Sequence, residues 1–589
     1  METPPVQSHP EEKRFFSEPL MTELAQVLVE RGVVSRAQVD ELNSRRMLTG
    51  ENLDRMLVQA PAVDEAAVLQ ALAELTGIPF RHIGEFKIDR AVVQRMQART
   101  AIRYEVMPLE QHGGIVTLAT AHVPTLSEVD GLRMLLDAAL DWVLCTEQDV
   151  SRTIKHFYGL GADALDSLVA DLPDTNIEIA GQDVSADTAD EGIVKFVNQV
   201  IGEAIRMNAT DIHIEPFENT LRLRYRIDGL LQDIPVPKGV AHLRRAIASA
   251  VKIMAELNIA ERRKPHDGRI KVRSGGDEFD LRVSVLPTAY GETCCLRVLN
   301  RKAMFIDIGH LGLSGRQLPM IEYLSSMPHG VVLVTGPTGS GKTTTLYAVL
   351  NRINTTDVKI ITVEDPIEYQ MHGINQVQVH SQIGVTFASV LRSILRHDPD
   401  IVLIGEIRDA ETADIAVRAS LTGHLVFSTL HTNDAPSAVT RLVDMGVEPY
   451  LVSSCLEGVI AQRLVRRVCP SCSEPTDIDD VIVDEIRTMF ADRLAEAQFR
   501  KGRGCPDCNF TGYRGRIALF EIMVMNEVLR AMVVHQRPSN EIKKKAMEHG
   551  LITLRMDGWN RLLEGVTTVD EVLRVARKAD IEAVSPAGG

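Results

Sequence analysis

The sequence predicts a multidomain α/β protein, and three observations carry that expectation. An apolar run, Val331-Val332-Leu333-Val334, feeds a glycine-rich loop and then a helical stretch from Thr344 to Leu350. Such a run reads as a buried parallel strand. Upstream, between Ile193 and Leu299, a helix is followed by strands in which aliphatic and charged residues alternate. Downstream, further apolar strands end in acids, and two Cys-x-x-C pairs follow. The 589 residues leave room for roughly three to five domains.

Composition narrows the class. A hydrophobic content of 45% and a charged content of 24% suit a soluble globular protein. Aromatics make up only 4%, which argues against a stacking surface for single-stranded nucleic acid. A net charge of -16 and a pI near 5.6 weigh against generic nucleic-acid binding. No apolar run approaches the ~20 residues needed to span a bilayer. Met1 to Arg14 is polar and lacks the apolar segment of a signal peptide. The expectation is a cytoplasmic chain that reaches a membrane only through partners. Eight cysteines in such a chain do not suggest a disulfide framework.

Met21 to Leu42 repeats leucine and valine at helical spacing, and Leu53 to Leu72 echoes it. This suggests a small helical unit used twice. From Ala101 to Tyr158 short strands (Ile115 to Ala119, Asp141 to Cys145) alternate with helices, a compact α/β piece whose simplest use is docking. Between Lys155 and Lys195 there is no Lys or Arg and much Asp, so 157–192 reads as an acidic flexible linker. Ile193 to Met207 is an amphipathic helix. In the strands Asp211 to Glu215, Leu221 to Ile227 and Asp280 to Val285, alternation puts arginines on one face and aliphatics on the other. That basic face either meets a triphosphate or is simply solvated.

Gly336-Pro337-Thr338-Gly339-Ser340-Gly341-Lys342-Thr343-Thr344 has the G-x-x-x-x-G-K-T pattern of a phosphate-binding loop in its required strand–loop–helix setting. Glycines let backbone N–H groups turn around a phosphate, and the helix N-terminus adds positive potential. Lys342 would reach the β- and γ-phosphates and the Thr343 hydroxyl would ligate Mg²⁺. Two more buried strands end in acids: Lys359 to Glu368 and Ile401 to Asp409. Glu406 would hold Mg²⁺ through water or polarise the attacking water, with Glu368 a second candidate for that water. A third strand, Leu425 to Leu430, is bracketed by His424 and His431. Ligands of parallel α/β sheets bind beyond the carboxyl ends of the strands, so all these groups are expected beside the loop. The histidines could sense the γ-phosphate, although a structural role for His424 stays open. Arg282 and Arg297, from the preceding strands, are candidates for neutralising phosphate charge.

Cys469-Pro470-Ser471-Cys472 and Cys505-Pro506-Asp507-Cys508 are separated by positions 473 to 504, 32 residues. Four thiolates suit tetrahedral Zn²⁺, each Cys-x-x-C spanning one edge. The gap exceeds that of a common zinc ribbon and so holds a small helical insert. Four reduced structural cysteines are the alternative. Cys145, Cys294, Cys295 and Cys455 lie in apolar surroundings and read as core.

Together Gly336–Thr343, Glu364-Asp365-Pro366-Ile367-Glu368, Gly405-Glu406-Ile407-Arg408-Asp409 and Thr422-Gly423-His424 through His431-Thr432-Asn433-Asp434 resemble the secretion ATPase superfamily. More narrowly the chain resembles the assembly ATPases of bacterial type II secretion and type IV pili. Thr210 to Pro216, Arg226 to Gly229, Lys264 to Arg269 and the tetracysteine element match the same group. Retraction and conjugation relatives generally lack that element. The resemblance runs from about Ile193 to Ala579. It implies a PAS-like domain (193–304) and a RecA-like ATPase core (305–464), after the linker (157–192) and an N-terminal part (1–156) that loosely resembles the family's docking domain. It also implies a tetracysteine zinc insert (465–515) and a C-terminal helical part (516–589).

What the resemblance further implies is a hexameric motor that hydrolyses ATP with Mg²⁺. Nucleotide would sit between the PAS-like and RecA-like domains. Glu368 and Glu406 match catalytic acids, Arg282 and Arg297 arginine fingers, and His424 and His431 a histidine box. Work would pass to an inner-membrane platform protein and a membrane partner with a cytoplasmic domain, at the cytoplasmic face of the inner membrane. Asp444 to Pro449 and Asn258 to Glu261 lean toward type II secretion, with pilus extension as the alternative. Some relatives bind cyclic di-GMP through Arg-Leu-Gly-x-x-Leu motifs. The matching places here, Thr22 to Ala25 and Glu51 to Asp54, lack Arg-Leu-Gly, so that ligand is not expected.

Overall fold

A computed structural model describes residues 15–49, 52–58, 60, 63–159, 191–237, 239–300 and 307–576. Most of the acidic stretch expected to be a linker, 160–190, lies outside the described residues. The chain forms two compact units. The first comprises Met1–Leu299 with Gly504–Thr511, the second Asn300–Arg503 with Gly512–Gly589.

The first unit opens with helices Glu18–Glu30, Arg36–Thr49, Leu53–Val58 and Glu65–Thr76. Leu24, Leu28, Leu57, Leu69 and Leu72 are fully buried between them, as the helical repeat predicts. Asp64 caps the last helix by accepting from Ala66 N–H, and Gly77 ends it at φ 72°. A three-stranded sheet follows: β1 (Val106–His112), β2 (Ile115–Thr120) and β3 (Ala139–Leu144), with β1 antiparallel and β3 parallel to β2.

The same unit holds a six-stranded sheet with the order β6-β5-β4-β9-β8-β7. Its strands are β4 (Ala209–Pro216), β5 (Leu221–Ile227), β6 (Leu230–Ile234), β7 (His266–Ser274), β8 (Asp277–Thr288) and β9 (Gly291–Asn300). Ile212, Ile214, Leu223, Tyr225, Leu281 and Val283 point to one face and pack on helices Glu191–Arg206 and Arg244–Met254. The alternation of period two therefore does decide which side is core.

The second unit is built on a seven-stranded sheet with the order β12-β11-β13-β14-β10-β15-β18. It contains β10 (Gly330–Thr335), β11 (Ile360–Glu364), β12 (Asn375–Gln378), β13 (Ile401–Ile404), β14 (Leu425–Leu430) and β15 (Leu456–Val468). The short β16 (Ser473–Pro475) and β17 (Arg500–Gly502) form a separate ribbon, and β18 (Tyr513–Val524) returns antiparallel to β15. The strands from β12 to β15 run parallel. All residues of β10, β11, β13 and β14 are buried, as expected for strands covered on both faces. β18 falls in the stretch expected to be helical beyond the cysteines. It finishes the sheet because β15 offers a long apolar edge. The insert between the cysteine pairs carries helix Asp480–Leu494. Its Glu485 accepts from Trp559 Nε1 at 2.7 Å and from Arg555 Nε at 2.6 Å.

Candidate functional site: a phosphate-binding loop at the carboxyl edge of the sheet

β10 leads directly into the glycine loop, and helix Lys342–Ile353 starts at Lys342 with Gly341 as its N-cap. The loop is built against β15. In register Thr335 pairs with Ala461, so Gln462 and Arg463 lie just beyond, level with the loop. A Cβ at Gly336 would come 2.5 Å from the Gln462 carbonyl oxygen and 2.6 Å from Ser340 Oγ, so only glycine fits. Gly341 sits at φ 88°, and a Cβ there would meet Gln462 Nε2 at 2.8 Å. Gln462 also accepts from the buried Thr345 hydroxyl at 2.8 Å. Pro337, Thr338 and Gly339 are exposed at the tip.

Lys342 Nζ donates to the carbonyl oxygens of Gly336 at 2.8 Å and Pro337 at 3.1 Å. Burial pushes its ammonium down to about 8; Glu406 opposes that shift and Arg463 adds to it. Ser340 Oγ is buried without a hydrogen-bond partner, a donor aimed into the loop. Close-packed glycines at 336 and 341, an unsatisfied hydroxyl and a desolvated ammonium fit a phosphate group. Thr343, exposed at the helix N-terminus, fits a Mg²⁺ ligand.

Glu406 follows β13 and Gly405, and β14 ties down the chain on both sides of it. Thr429 Oγ1 donates to the Gly405 carbonyl at 2.7 Å, and Ile407 N–H donates to the Thr429 carbonyl at 3.1 Å. The carboxylate lies 2.5 Å from Arg408 Nη2 and 3.4 Å from His431 Nε2. It is the charge that favours the protonated form of Lys342. Lys342, Glu406 and His431 are thus brought to one edge.

His424 is not. Gly330 pairs with Leu425 and Thr335 with Leu430, so His424 precedes the amino end of β14. At roughly 3.3 Å per residue the strand separates it from the loop's edge by about 17–20 Å. Its Nδ1 lies 2.9 Å from the Ala419 carbonyl and 3.2 Å from Thr422 Oγ1, a local structural contact. The expectation that both histidines gather beside the loop is corrected: a parallel strand bracketed by two residues sends them to opposite edges.

At the end of β11 it is Glu364 that is buried. It accepts from Thr362 Oγ1 at 2.6 Å, from Gln376 Nε2 at 3.1 Å and from the Tyr347 hydroxyl. Glu368 lies four residues on, half-buried beside Tyr369.

The basic face expected on the six-stranded sheet is also corrected. Arg222 pairs with Asp233 at 2.7 Å, Arg224 with Glu215 at 2.7 Å and Arg226 with Asp211 at 3.5 Å. Arg297, half-exposed on β9, lies 3.2 Å from Asp211. Neighbouring strands supply the acids, so the face is a lattice of ion pairs rather than a block of positive charge. Arg282, on β8, stands opposite Arg269 of β7.

The sulfurs of Cys469, Cys472, Cys505 and Cys508 all lie within 4.8 Å of one another, and all four residues are buried. The Cys505–Cys508 sulfur separation is 3.8 Å. A tetrahedron with Zn–S bonds of about 2.3 Å has edges of roughly 3.8 Å, so the donor set fits zinc. Cys145, Cys294 and Cys455 are core residues, while Cys295 is half-buried.

A family model described as type II/IV secretion system protein matches residues 186–574. The chain belongs to that family. Three curated relatives are similar to it. The type IV pilus assembly ATPase PilB of Myxococcus xanthus is 40% identical over 93% of this chain and 98% of that protein. The type II secretion system protein E of Xanthomonas campestris is 40% identical over 95% of this chain and 99% of that protein. The type II secretion system protein E of Pseudomonas aeruginosa is 48% identical over 70% of this chain and 80% of that protein. As a member of this family the chain is an ATPase with a RecA-like core.

A second model, the MshEN domain, matches residues 76–164. MshEN domains as a group bind cyclic di-GMP, so the exclusion of that ligand loses its support. Thr22 to Ala25 and Glu51 to Asp54, the places that lack Arg-Leu-Gly, lie outside the matched stretch. Among the described residues no helix is long and apolar enough to cross a membrane.

Sequence reasoning missed Gln462 and Arg463. The signal was present: two polar residues interrupt the apolar run Val459 to Val465, at the level where it passes the loop.

Proposed function

We propose that this chain is a P-loop ATPase motor that powers assembly of a pilin-like filament for type II protein secretion. The observation that carries the catalytic half is the meeting of Lys342 and Glu406 at the carboxyl edge of the sheet, beside a loop whose Gly336 and Gly341 admit no side chain. In this reading ATP binds through Gly336 to Thr344. Lys342 engages the β- and γ-phosphates, and Thr343 with Glu406 organises Mg²⁺, which supplies charge neutralisation when bound. Glu406 or Glu368 orients the attacking water. His431 is placed to respond to the γ-phosphate through Glu406. Arg282 and Arg297 act as arginine fingers, and the four cysteines hold a structural Zn²⁺. His424 keeps only the role that the family resemblance implies.

The working form is a homohexamer at the cytoplasmic face of the inner membrane. The N-terminal part (1–156) docks on a platform protein and a membrane partner, beyond the linker (157–192). The PAS-like (193–304) and RecA-like (305–464) domains close on nucleotide, and the insert (465–515) and C-terminal part (516–589) complete each subunit. Pilus extension is the second reading. It is supported by the pilus assembly relative, which aligns over 93% of this chain at 40% identity.

Lys342→Ala is expected to abolish steady-state ATP hydrolysis while leaving a folded protein. Normal turnover in that variant would reject the site. Glu406→Gln is expected to slow single-turnover hydrolysis by about 10²- to 10⁴-fold while nucleotide still binds. Complementation separates the two filament readings: the chain should restore export in a strain lacking a type II secretion ATPase and not piliation in one lacking a pilus assembly ATPase.

A further inference from the structure

We propose that Arg463 is a positioning residue for the hydrolytic step, holding Asn433 so that the preceding His431 stays against Glu406. The inference rests on the P-loop ATPase reading and deepens it. Arg463 is 8% exposed and lies two residues past the last β10–β15 pair, against the phosphate loop. A Cβ built at Gly336 would lie 3.1 Å from its Nη1. That nitrogen donates to the Gln462 carbonyl at 3.2 Å. The other, Nη2, donates to the Asn433 carbonyl at 3.0 Å and to Asn433 Oδ1 at 3.2 Å.

Asn433 is two residues past His431, whose Nε2 lies 3.4 Å from Glu406 Oε2. The residue between them is fixed from the other side. Thr432 N–H donates to Thr335 Oγ1 at 2.9 Å, and the two hydroxyls lie 2.6 Å apart. Thr335 is the last residue of β10, immediately before Gly336. The segment carrying His431 is therefore clamped twice beside the phosphate loop, to the end of β10 through Thr335 and to β15 through Arg463. A guanidinium offers a rigid fork of donors, so one arm rests on the Gln462 carbonyl beside Gly336 while the other grips both oxygens of Asn433. Beyond Asn433 the chain is held again: Asp434 accepts from Lys543 Nζ at 3.2 Å, and Ala435 N–H donates to the fully buried Glu521 at 2.8 Å. The segment has little freedom except at His431 itself, which is half-exposed. A shift of the loop on taking up a triphosphate is transmitted through Arg463 to the imidazole and the acid that orients water.

The test is steady-state kinetics of the full chain with Mg-ATP. Asn433 is exposed, so Asn433→Ala keeps the fold. It is expected to lower kcat about 10- to 100-fold and to change KM by less than about 3-fold, the mark of lost positioning rather than lost binding. Asn433→Asp keeps the acceptor and is expected to recover most of that loss. Arg463→Lys, which cannot fork, is expected to match Asn433→Ala, and the double variant to be no slower than the slower single one. Wild-type kcat in Asn433→Ala, a loss confined to KM, no recovery in Asn433→Asp, or independent losses in the double variant would each overturn the proposal. Turnover that survives Lys342→Ala would remove the underlying site and this inference with it. An inactive Lys342→Ala beside a fully active Asn433→Ala would remove the inference alone.

Discussion

The Thr345 hydroxyl donates a 2.8 Å hydrogen bond to Gln462 Oε1, tying the helix that follows the phosphate loop to β15. Both residues are buried, and the Gln462 amide also lies against the loop glycine Gly341. Thr345→Val would leave that amide oxygen buried without its donor. The expected cost is about 1–3 kcal/mol, read from the urea transition of the second unit. Thr345→Val combined with Gln462→Leu removes both partners and is expected to recover much of the loss.

In the proposed ATP site, the depressed pKa of Lys342 is expected to make phosphate binding depend on pH. The group's ordinary value is 10.5, and in the folded chain it is pushed down to about 8. Below about 8 the ammonium is charged, and the cost of burying that charge is fully present. As pH rises from about 8 toward 10.5, the folded chain loses the proton before the unfolded chain does. Stability therefore gains in that window, and the gain is lost as pH falls back through about 8. Phosphate has the opposite preference, since it binds the ammonium. Affinity for Mg-free ATP, followed by calorimetry, is expected to weaken as pH rises through about 8. Lys342→Ala should bind more weakly and show no break there.

The buried Lys252–Glu292 ion pair ties helix Arg244–Met254 to β9. The Lys252 side chain is 0% exposed, and its Nζ also donates to the Glu261 carbonyl at 2.8 Å, tethering the loop before β7. Lys252→Met leaves Glu292 as an unpaired buried charge, at a cost of about 3–5 kcal/mol. Hydrogen exchange should report faster opening of helix Arg244–Met254, with the seven-stranded sheet unaffected.

The cysteine cluster predicts metal content directly. Elemental analysis of the purified chain should find about one zinc per chain, as four thiolates require. Cys505→Ser should lower that content and make the insert more sensitive to proteolysis. Chelation of the native protein should produce the same sensitivity, because metal binding and folding of such sites are coupled.

What could be read from the chain alone was whatever lies close together along it. The phosphate loop is legible because its strand, glycines, lysine and helix are consecutive, and backbone geometry constrains all of them at once. The two Cys-x-x-C turns are legible because each keeps its two cysteines three positions apart in the chain. The Arg222, Arg224 and Arg226 face misled because alternation reports which side a residue takes and says nothing of what stands opposite. Asp233, Glu215 and Asp211 face those arginines only once β4, β5 and β6 are paired.

The sequence by itself determined the α/β class, the phosphate loop with Lys342 and Thr343, the acid Glu406 and the four thiolates. Each is a pattern of residues that lie close together along the chain. Only the tertiary structure decided that His431 joins Glu406 while His424 goes to the far edge, since strand direction and register are set by long-range pairing. It alone brought Gln462 and Arg463, more than a hundred residues from the loop in sequence, into contact with Gly336. Close packing beside a glycine is a property of two strands side by side, and no single stretch of either encodes it.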